Sequence, residues 1–453
     1  MLRLHDTAFG AARELALRDP GKVSMYVCGP TVYGLPHIGH GRQLLVYDVL
    51  RRYLEWCGFE VHHVSNITDV DDNIIGRANR EGRTEPEVAA EFEKAWYDAV
   101  DALGVLRPHD DPHATAYVPE MVELIGRLVE AGIAYETSDG VYFGVESVDG
   151  YGLLAGQSLE SMRAGERVEV VDEKRSPADF ALWKKAKPDE PSWPSPWGDG
   201  RPGWHTECVV MSLKLLGDGF DLHAGGMDLR FPHHENERAQ AAALGKTFAR
   251  HWMHHAFVEM GGEKMSKSLG NFVTLTDLVE RTDPRAYRLL VLQSHYRSPL
   301  EVLPGTVERA ERTLAKLDDL NRRWESLGDR RPAAEPDPAA LDRFRALMDD
   351  DLATPAVTGL LFDLVGAANV SLAAADVAAA APTVAAVLEI AGALGLAPRA
   401  ADTLVDDETA RLVAERDEAR AARDFARSDA LRERLTALGW VVQDTPGGTT
   451  VHR

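Results

Sequence analysis

An α/β fold with an open, mostly parallel sheet is what this sequence predicts for its first half, followed by a helical part and a small C-terminal α/β unit. Three observations carry that expectation. Short apolar runs with β-branched and aromatic members, such as Val23 to Cys28, stop at glycine and proline and give way to helical spacing from Leu44 to Leu54. Strand-like pieces ending in polar loops return after residue 200, so the sheet is assembled in two halves around an interruption. Beyond residue 306 the pattern is helical and, from Leu341 to Leu394, rich in alanine.

Length and composition bound the rest. A chain of 453 residues is too long for one core and should divide into roughly two to four domains. With 45% hydrophobic and 27% charged residues it has the balance of a globular protein rather than a disordered one. The first twenty residues lack an apolar core and no apolar stretch of spanning length runs uninterrupted, so neither a signal peptide nor a membrane span is expected. A cytoplasmic monomer is the expectation. Three cysteines cannot build a disulfide framework in a chain of this size, which turns attention to metal binding or catalysis; Cys57 reads as plain core. A net charge of −22 excludes a general nucleic-acid-coating protein and confines any RNA contact to a local surface.

Taken in order, residues 1–110 open the sheet. Cys28 stands at the carboxyl end of the first strand, where open α/β sheets bind their ligands. His37 and His40 fall at i and i+3 near the start of the next helix, whose unpaired N–H groups and dipole make phosphate a natural guest for two imidazoles. On spacing alone, two surface histidines are the plainer reading. The helix should end near Gly58, a strand should run from Glu60 to Ile67, and Thr68, Asp69, Asp71 and Asp72 then suit an acidic helix start. Residues 111–200 break the alternation with a helix (Pro119 to Gly132), a strand (Gly140 to Val145) and a proline-rich run, and read as an insertion.

The second half of the sheet occupies residues 201–255. Pro232 is placed as the first residue of a helix, where its missing N–H costs nothing, and His233 and Glu237 then lie at i and i+4 on one face. In 256–305, Lys264 and Lys267 sit among glycine and serine and suit a mobile phosphate clamp, although an exposed basic turn is the plainer reading of that spacing. Residues 306–400 are expected as a helix from Thr306 to Leu327, a linker through 340 and an alanine-rich bundle, a stem that holds something at a distance. The last unit, 405–453, has two helices (Glu408 to Arg423, Phe425 to Leu438) and a hairpin-like ending.

Cys28, Cys208, His233 and Glu237 each fall at a strand end or helix start and can converge on one sheet edge. Two thiolates, an imidazole and a carboxylate suit zinc. The compact Cys-x-x-Cys signature is absent, so buried structural cysteines remain open on spacing alone.

Longer matches narrow these readings. Cys28-Gly-Pro followed by His37-Ile-Gly-His, with Lys264-Met-Ser-Lys-Ser downstream, resembles the signatures of class I aminoacyl-tRNA synthetases. Gly203-Trp-His-Thr-Glu-Cys and Phe231-Pro-His-His-Glu-Asn-Glu extend the resemblance to the cysteine-specific branch over nearly the whole chain. It implies a Rossmann-like catalytic domain in two halves, a connective insertion, a helical bundle and an anticodon-binding unit. The implied activity is ATP-dependent conversion of L-cysteine to cysteinyl-adenylate and transfer to the 3′-terminal adenosine of tRNA(Cys), with Mg2+ accompanying ATP. One zinc per subunit is implied on Cys28, Cys208, His233 and Glu237, with the choice between His233 and His234 open. Such a metal lowers the pKa of a thiol but hardly ionises a serine hydroxyl, which separates the two amino acids without an editing site.

The same resemblance implies His37, His40, Lys264 and Lys267 in catalysis; Gly39, His40, Gly226 and Lys267 at ATP; and Cys28, Thr68, Trp204 and Asp228 at cysteine, Asp228 beside its ammonium. Arg420, Asp429 and Asp444 are implied at the anticodon, where arginine reads guanine edges and carboxylates accept from exocyclic amines. Val451 and His452 depart from the Trp-Arg often found at the family's tail, which puts contacts there in doubt. Two other functions compete. A same-fold cysteine ligase acting on a small amine would lack a full anticodon unit, and a non-catalytic tRNA-binding paralogue would carry broken motifs, of which there are none here.

Overall fold

The first strand of the central sheet, β3 (Lys22–Val27), is buried at every position after Lys22, as a strand covered on both faces must be. It is preceded by a small antiparallel hairpin, β1 (Arg3–Asp6) and β2 (Ala11–Glu14). The computed structural model describes residues 2–156, 173–188, 190–260, 263–264, 273–399, 407–445 and 448–452. Lys267 lies outside these residues, and of Lys264 only the backbone is described.

Helix α1 (Ile38–Trp56) leads from β3 to β4 (Glu60–Val64), and α2 (Asp72–Glu81) and α3 (Glu85–Ala102) follow. The β4 strand stops short of the expected Ile67. Helix α4 (Val118–Glu130) opens the insertion, whose core is an antiparallel sheet of β5 (Ala134–Glu136), β6 (Gly140–Phe143), β7 (Phe180–Lys185) and β8 (Gly200–Pro202). Asp72, the first residue of α2, joins that helix to the insertion by pairing with Lys184 and Arg201. The chain re-enters through α5 (Trp204–Leu215), β9 (Phe220–Gly226), α6 (Glu235–Ala243) and β10 (Ala249–His255). Strands β10, β9, β3 and β4 lie in that order, all parallel.

The two faces of this sheet bury different clusters. Met25 and Val27 of β3, Leu222 and Ala224 of β9 and Met253 of β10 face α1, whereas Tyr26, Cys28 and Trp252 face α5 and α6. Alternation along each strand thus decides which face a side chain serves.

Phe231 is extended (φ −146°, ψ 133°) within the turn Arg230–His234, so the chain kinks there; Pro232 follows the kink at the head of the turn that carries His233 into α6, whose regular part runs from Glu235.

After β10 come β11 (Val258–Met260), β12 (Glu263–Lys264), α7 (Leu275–Arg281), α8 (Pro284–Leu292) and β13 (Leu300–Glu301). The helical part comprises α9 (Thr306–Glu325), α10 (Pro338–Asp349), α11 (Thr354–Ala373) and α12 (Val377–Ala393). Helix α10 starts inside the stretch expected as linker, capped by Asp337, which accepts from Ala339 N. The bundle is docked on α1. Its Leu317, Phe344, Val357 and Val384 belong to the same core as Leu45 and Leu50 of α1, and Trp56 Nε1 donates to Glu389 Oε1 at 2.9 Å. The buried Arg288–Asp48 pair locks α8 to α1. Among the described residues, α11 alone has the length and hydropathy of a membrane span; it carries Asp363 and buries Val357, Leu361, Val365 and Ala368 in the bundle. A separate core of Leu412, Leu431, Leu435, Trp440 and Val442 holds α13 (Asp407–Ala421), α14 (Phe425–Ala437) and the hairpin β14 (Val441–Thr445)–β15 (Gly448–His452).

Candidate active site and metal centre

The carboxyl edge of the parallel sheet gathers most of the residues singled out in the sequence. Gly29 sits against the loop after β4 so closely that a Cβ there would lie 1.6 Å from the Asn66 carbonyl oxygen; only glycine fits. Its N–H donates to Asn66 Oδ1 at 2.9 Å, and Asn66 Nδ2 donates to Thr68 Oγ1 at 3.1 Å. Thr68 Oγ1 in turn donates to Glu207 Oε2 at 2.8 Å. Thr68 is thereby separated from the acidic helix start expected of it: Asp71 caps α2, Asp72 occupies its first turn, and Asp69 accepts from Thr115.

Behind Thr68 lies the metal-capable cluster. Cys28 follows β3, Cys208 lies on α5, and His233 and Glu237 flank the start of α6; their donor atoms all fall within 4.8 Å of one another. Tetrahedral zinc with Zn–S near 2.3 Å and Zn–O near 2.1 Å requires S···S of about 3.8 Å and S···O of about 3.6 Å. The Cys28–Cys208 sulfurs are 3.8 Å apart, and Cys28 Sγ is 3.6 Å from Glu237 Oε1. His233 Nε2 and Glu237 Oε1 are in hydrogen-bond contact at 2.6 Å, so a metal would have to part them to about 3.4 Å.

The proton inventory points the same way. Burial alone would lower the pKa of His233, but the Glu237 carboxylate and Cys208 hold it up at about 10. Cys208, against its own burial, is brought down to about 6 by hydrogen bonds from Cys28 and His233, while burial pushes the Cys28 thiol up. These are protons that a divalent cation displaces, and the donor set of two sulfurs, a nitrogen and an oxygen fits zinc.

A second set, Cys28, His223, His234 and Glu237, overlaps the first. His234 Nε2 is 3.3 Å from Cys28 Sγ, and its Nδ1 is 2.8 Å from His254 Nε2. His223 Nε2 is 2.6 Å from Glu237 Oε2. Only the first set contains Cys208, and only it reaches a partly open surface: Trp204, 37% exposed, stacks on His233 with ring centroids 3.9 Å apart.

Across the sheet, His37 caps α1. Its Nδ1 accepts from Gly39 N at 3.0 Å and His40 N at 3.4 Å, while His40 Nδ1 accepts from His37 N at 3.2 Å. Backbone N–H groups only donate, so both rings carry their proton on Nε2 and are neutral. They stack at 3.8 Å and present N–H donors rather than charge. The described chain before and after Lys264 and Lys267 is held to this helix. Arg42 Nη1 donates to Phe257 O at 2.6 Å, Ile38 N donates to Val273 O at 3.2 Å and Leu275 N to Pro36 O at 2.8 Å.

Gly226 ends β9 opposite His255; a Cβ on Gly226 would lie 2.3 Å from Asp228 Oδ1 and 3.6 Å from His255 Nε2. In the C-terminal unit Arg420 and Asp444 are bound to each other at 2.7 Å, and buried Arg416 holds the same carboxylate at 2.6 Å; Asp429 is exposed. Sequence reasoning did not single out His223, His255, Glu207 or Arg416. His223 and His255 carried a signal in hindsight, as histidines on strands buried along nearly their whole length.

Comparisons with known proteins agree with this geometry. Residues 15–312 match the family model for the class I (C) tRNA synthetase catalytic domain, 343–398 a DALR domain, and 402–451 the cysteinyl-tRNA ligase anticodon-binding domain. Cysteine–tRNA ligases of Anaeromyxobacter dehalogenans and Methylobacillus flagellatus are 46% and 45% identical over 99% and 100% of both chains. That of Thermus thermophilus is 47% identical over 95% of this chain and 94% of its own. A Mycobacterium tuberculosis methionyl-tRNA synthetase in complex with methionyl-adenylate shares the fold, at 17% identity and TM-score 0.61 over 83% of this chain and 90% of its own. With nearly half of its residues identical to these ligases from end to end, the chain belongs to the cysteine–tRNA ligase family of class I tRNA synthetases.

Proposed function

We propose that the protein activates L-cysteine with ATP to cysteinyl-adenylate and transfers it to the 3′-terminal adenosine of tRNA(Cys). The observation that carries this reading is the convergence of Cys28, Cys208, His233 and Glu237 beside Thr68 and Trp204, on the sheet edge from which α1 departs with His37 and His40. Zinc held by those four ligands would bind the substrate sulfur as thiolate, which serine cannot supply.

Chain residues account for the remaining steps. Thr68, fixed between Asn66 and Glu207, and Trp204, stacked on His233, wall the pocket for the amino acid, and Asp228 takes its ammonium. The carboxylate then attacks the α-phosphate in line, chiefly through positioning. His37 and His40 aim neutral Nε2–H donors at the phosphate from a helix start whose own dipole is favourable. Lys264 and Lys267 add the positive charge and Gly39 and Gly226 let the backbone approach the nucleotide; Mg2+ brought with ATP would offset the charge of the departing pyrophosphate. The anticodon-domain match at 402–451 supports tRNA over a small amine as acceptor, and there the pairing of Arg420 with Asp444 pre-orients both for base edges. Asp429 completes that set. A monomer working in the reducing cytoplasm suits a site that needs free thiols.

Amino-acid-dependent pyrophosphate exchange with each of the twenty amino acids tests the reading. Exchange with cysteine alone is expected; exchange driven by another amino acid, or by none, would overturn it.

A further inference from the structure

His255 is the last residue of β10, in register with Gly226 at the end of β9. Its ring Nδ1 lies 2.9 Å from Ala256 O, and since a carbonyl only accepts, Nδ1 carries the proton and Nε2 is a lone-pair acceptor. The residue is 6% exposed, yet Nε2 has no hydrogen-bond partner among the described residues. Burial, with the nearby Arg42 charge, brings the pKa of His255 down to about 4, so the ring stays neutral at physiological pH. A buried acceptor left unpaired is costly, which makes a donor from a ligand the natural complement.

Strand alternation says which ligand. His255 shares the face of Met253, and Gly226 that of Leu222 and Ala224, the face packed on α1. The metal-capable cluster uses the opposite face, with Cys28. Tyr47 of α1 donates to Gly225 O and Met253 O, closing this side, and Arg42, half a turn beyond His40, reaches Phe257 O two residues past His255. Nε2 and the Asp228 carboxylate, both acceptors, flank the point where Gly226 lacks a side chain. Phosphate oxygens are excluded there because they also only accept. Of the donors that adjoin a phosphate held at the start of α1, the substrate ammonium is the one assigned to Asp228, which leaves a hydroxyl of the nucleotide's sugar for Nε2.

We propose that His255 Nε2 accepts a hydrogen bond from a ribose hydroxyl of ATP and so is a specificity residue for ribonucleotides. This rests on the ATP-dependent reading above. The test measures cysteine-dependent pyrophosphate exchange by the full chain with ATP, 2′-deoxyATP and 3′-deoxyATP, for the native protein, His255→Leu and His255→Gln.

Native protein should prefer ATP over one of the two deoxy analogues by roughly three- to tenfold in kcat/KM, the worth of one neutral hydrogen bond. His255→Leu should lose that preference by falling on ATP alone. Its activity on the deoxy analogue should stay at the native level, which shows that the variant is folded. His255→Gln, which retains an acceptor, should recover part of the preference, and KM for cysteine should not move. If His255→Leu keeps the native preference against both analogues, or if its loss falls on KM for cysteine, the proposal is overturned. Absence of cysteine-dependent exchange in the native protein would instead overturn the functional reading beneath it.

Discussion

Replacing Cys208 by serine tests the metal centre at its most exposed assumption. Cys208 is 1% exposed and its sulfur stands 3.8 Å from that of Cys28, the separation two sulfurs share on one tetrahedral zinc. The hydroxyl of Cys208→Ser stays protonated, so the site loses one anionic donor of four while the shape of the side chain hardly changes. Groups that merely orient a zinc ligand are worth roughly 10- to 100-fold in affinity. Loss of a ligand should therefore cost more than about 100-fold, or about 2.7 kcal/mol. Competition against a chelator of known affinity reads this directly, and cysteine-dependent pyrophosphate exchange should fall with the bound metal. Cys57→Ser is the control, because Cys57 lies away from the site with its sulfur 3.4 Å from Arg345 Nη1, and it should change neither. A Cys208→Ser protein that holds zinc as tightly as the native one would refute the assignment of Cys208 as a ligand.

Three further outcomes are expected. Ending the chain at Arg399 removes Arg420, Asp429 and Asp444 but leaves the bundle docked on α1, so pyrophosphate exchange should survive while charging of tRNA is lost; undiminished charging would contradict the anticodon assignment. Gly29→Ala forces a Cβ onto the Asn66 carbonyl and should lower the free energy of denaturant unfolding by about 3 kcal/mol, which an unshifted midpoint would disprove. His63 is buried without ring partners among the described residues, and burial together with the Arg51 charge lowers its pKa from 6.5 to about 3. Between those values the unfolded chain binds a proton that the folded chain refuses, so stability falls as pH falls below 6.5, by up to about 1.4 kcal/mol per pH unit. Denaturant titrations of His63→Leu should show a shallower decline over that range than the native protein; parallel curves would count against it.

How much of this was legible in the sequence depends on how local the cause is. The strand, turn and helix around Cys28 and His40 are written in neighbouring residues, and His233 and Glu237 meet because i and i+4 on a helix must. Convergence of Cys28 with Cys208 across 180 residues was legible only through residue types and the motifs around them. Less local features escaped. A histidine is an unusual helix cap, so the mutual capping that fixes the tautomers of His37 and His40 had no signal. His255 and Gly226 face one point because of strand register, which sequence spacing does not encode. The apolar faces of the alanine-rich helices say nothing of what covers them, and the structure covers part of them with α1. Arg420 and Asp444 were expected as separate base contacts, and it is the β14–β15 hairpin that brings them together, with Arg416 beneath.

The central claim is that this chain recognises cysteine through a sulfur–metal bond. X-ray absorption at the zinc edge of the purified protein tests it most directly. The spectrum should report two sulfur neighbours without substrate, from Cys28 and Cys208, and three when L-cysteine is added, with L-serine leaving the count at two. A sulfur count that stays at two under saturating cysteine, in protein that still activates it, would contradict the account.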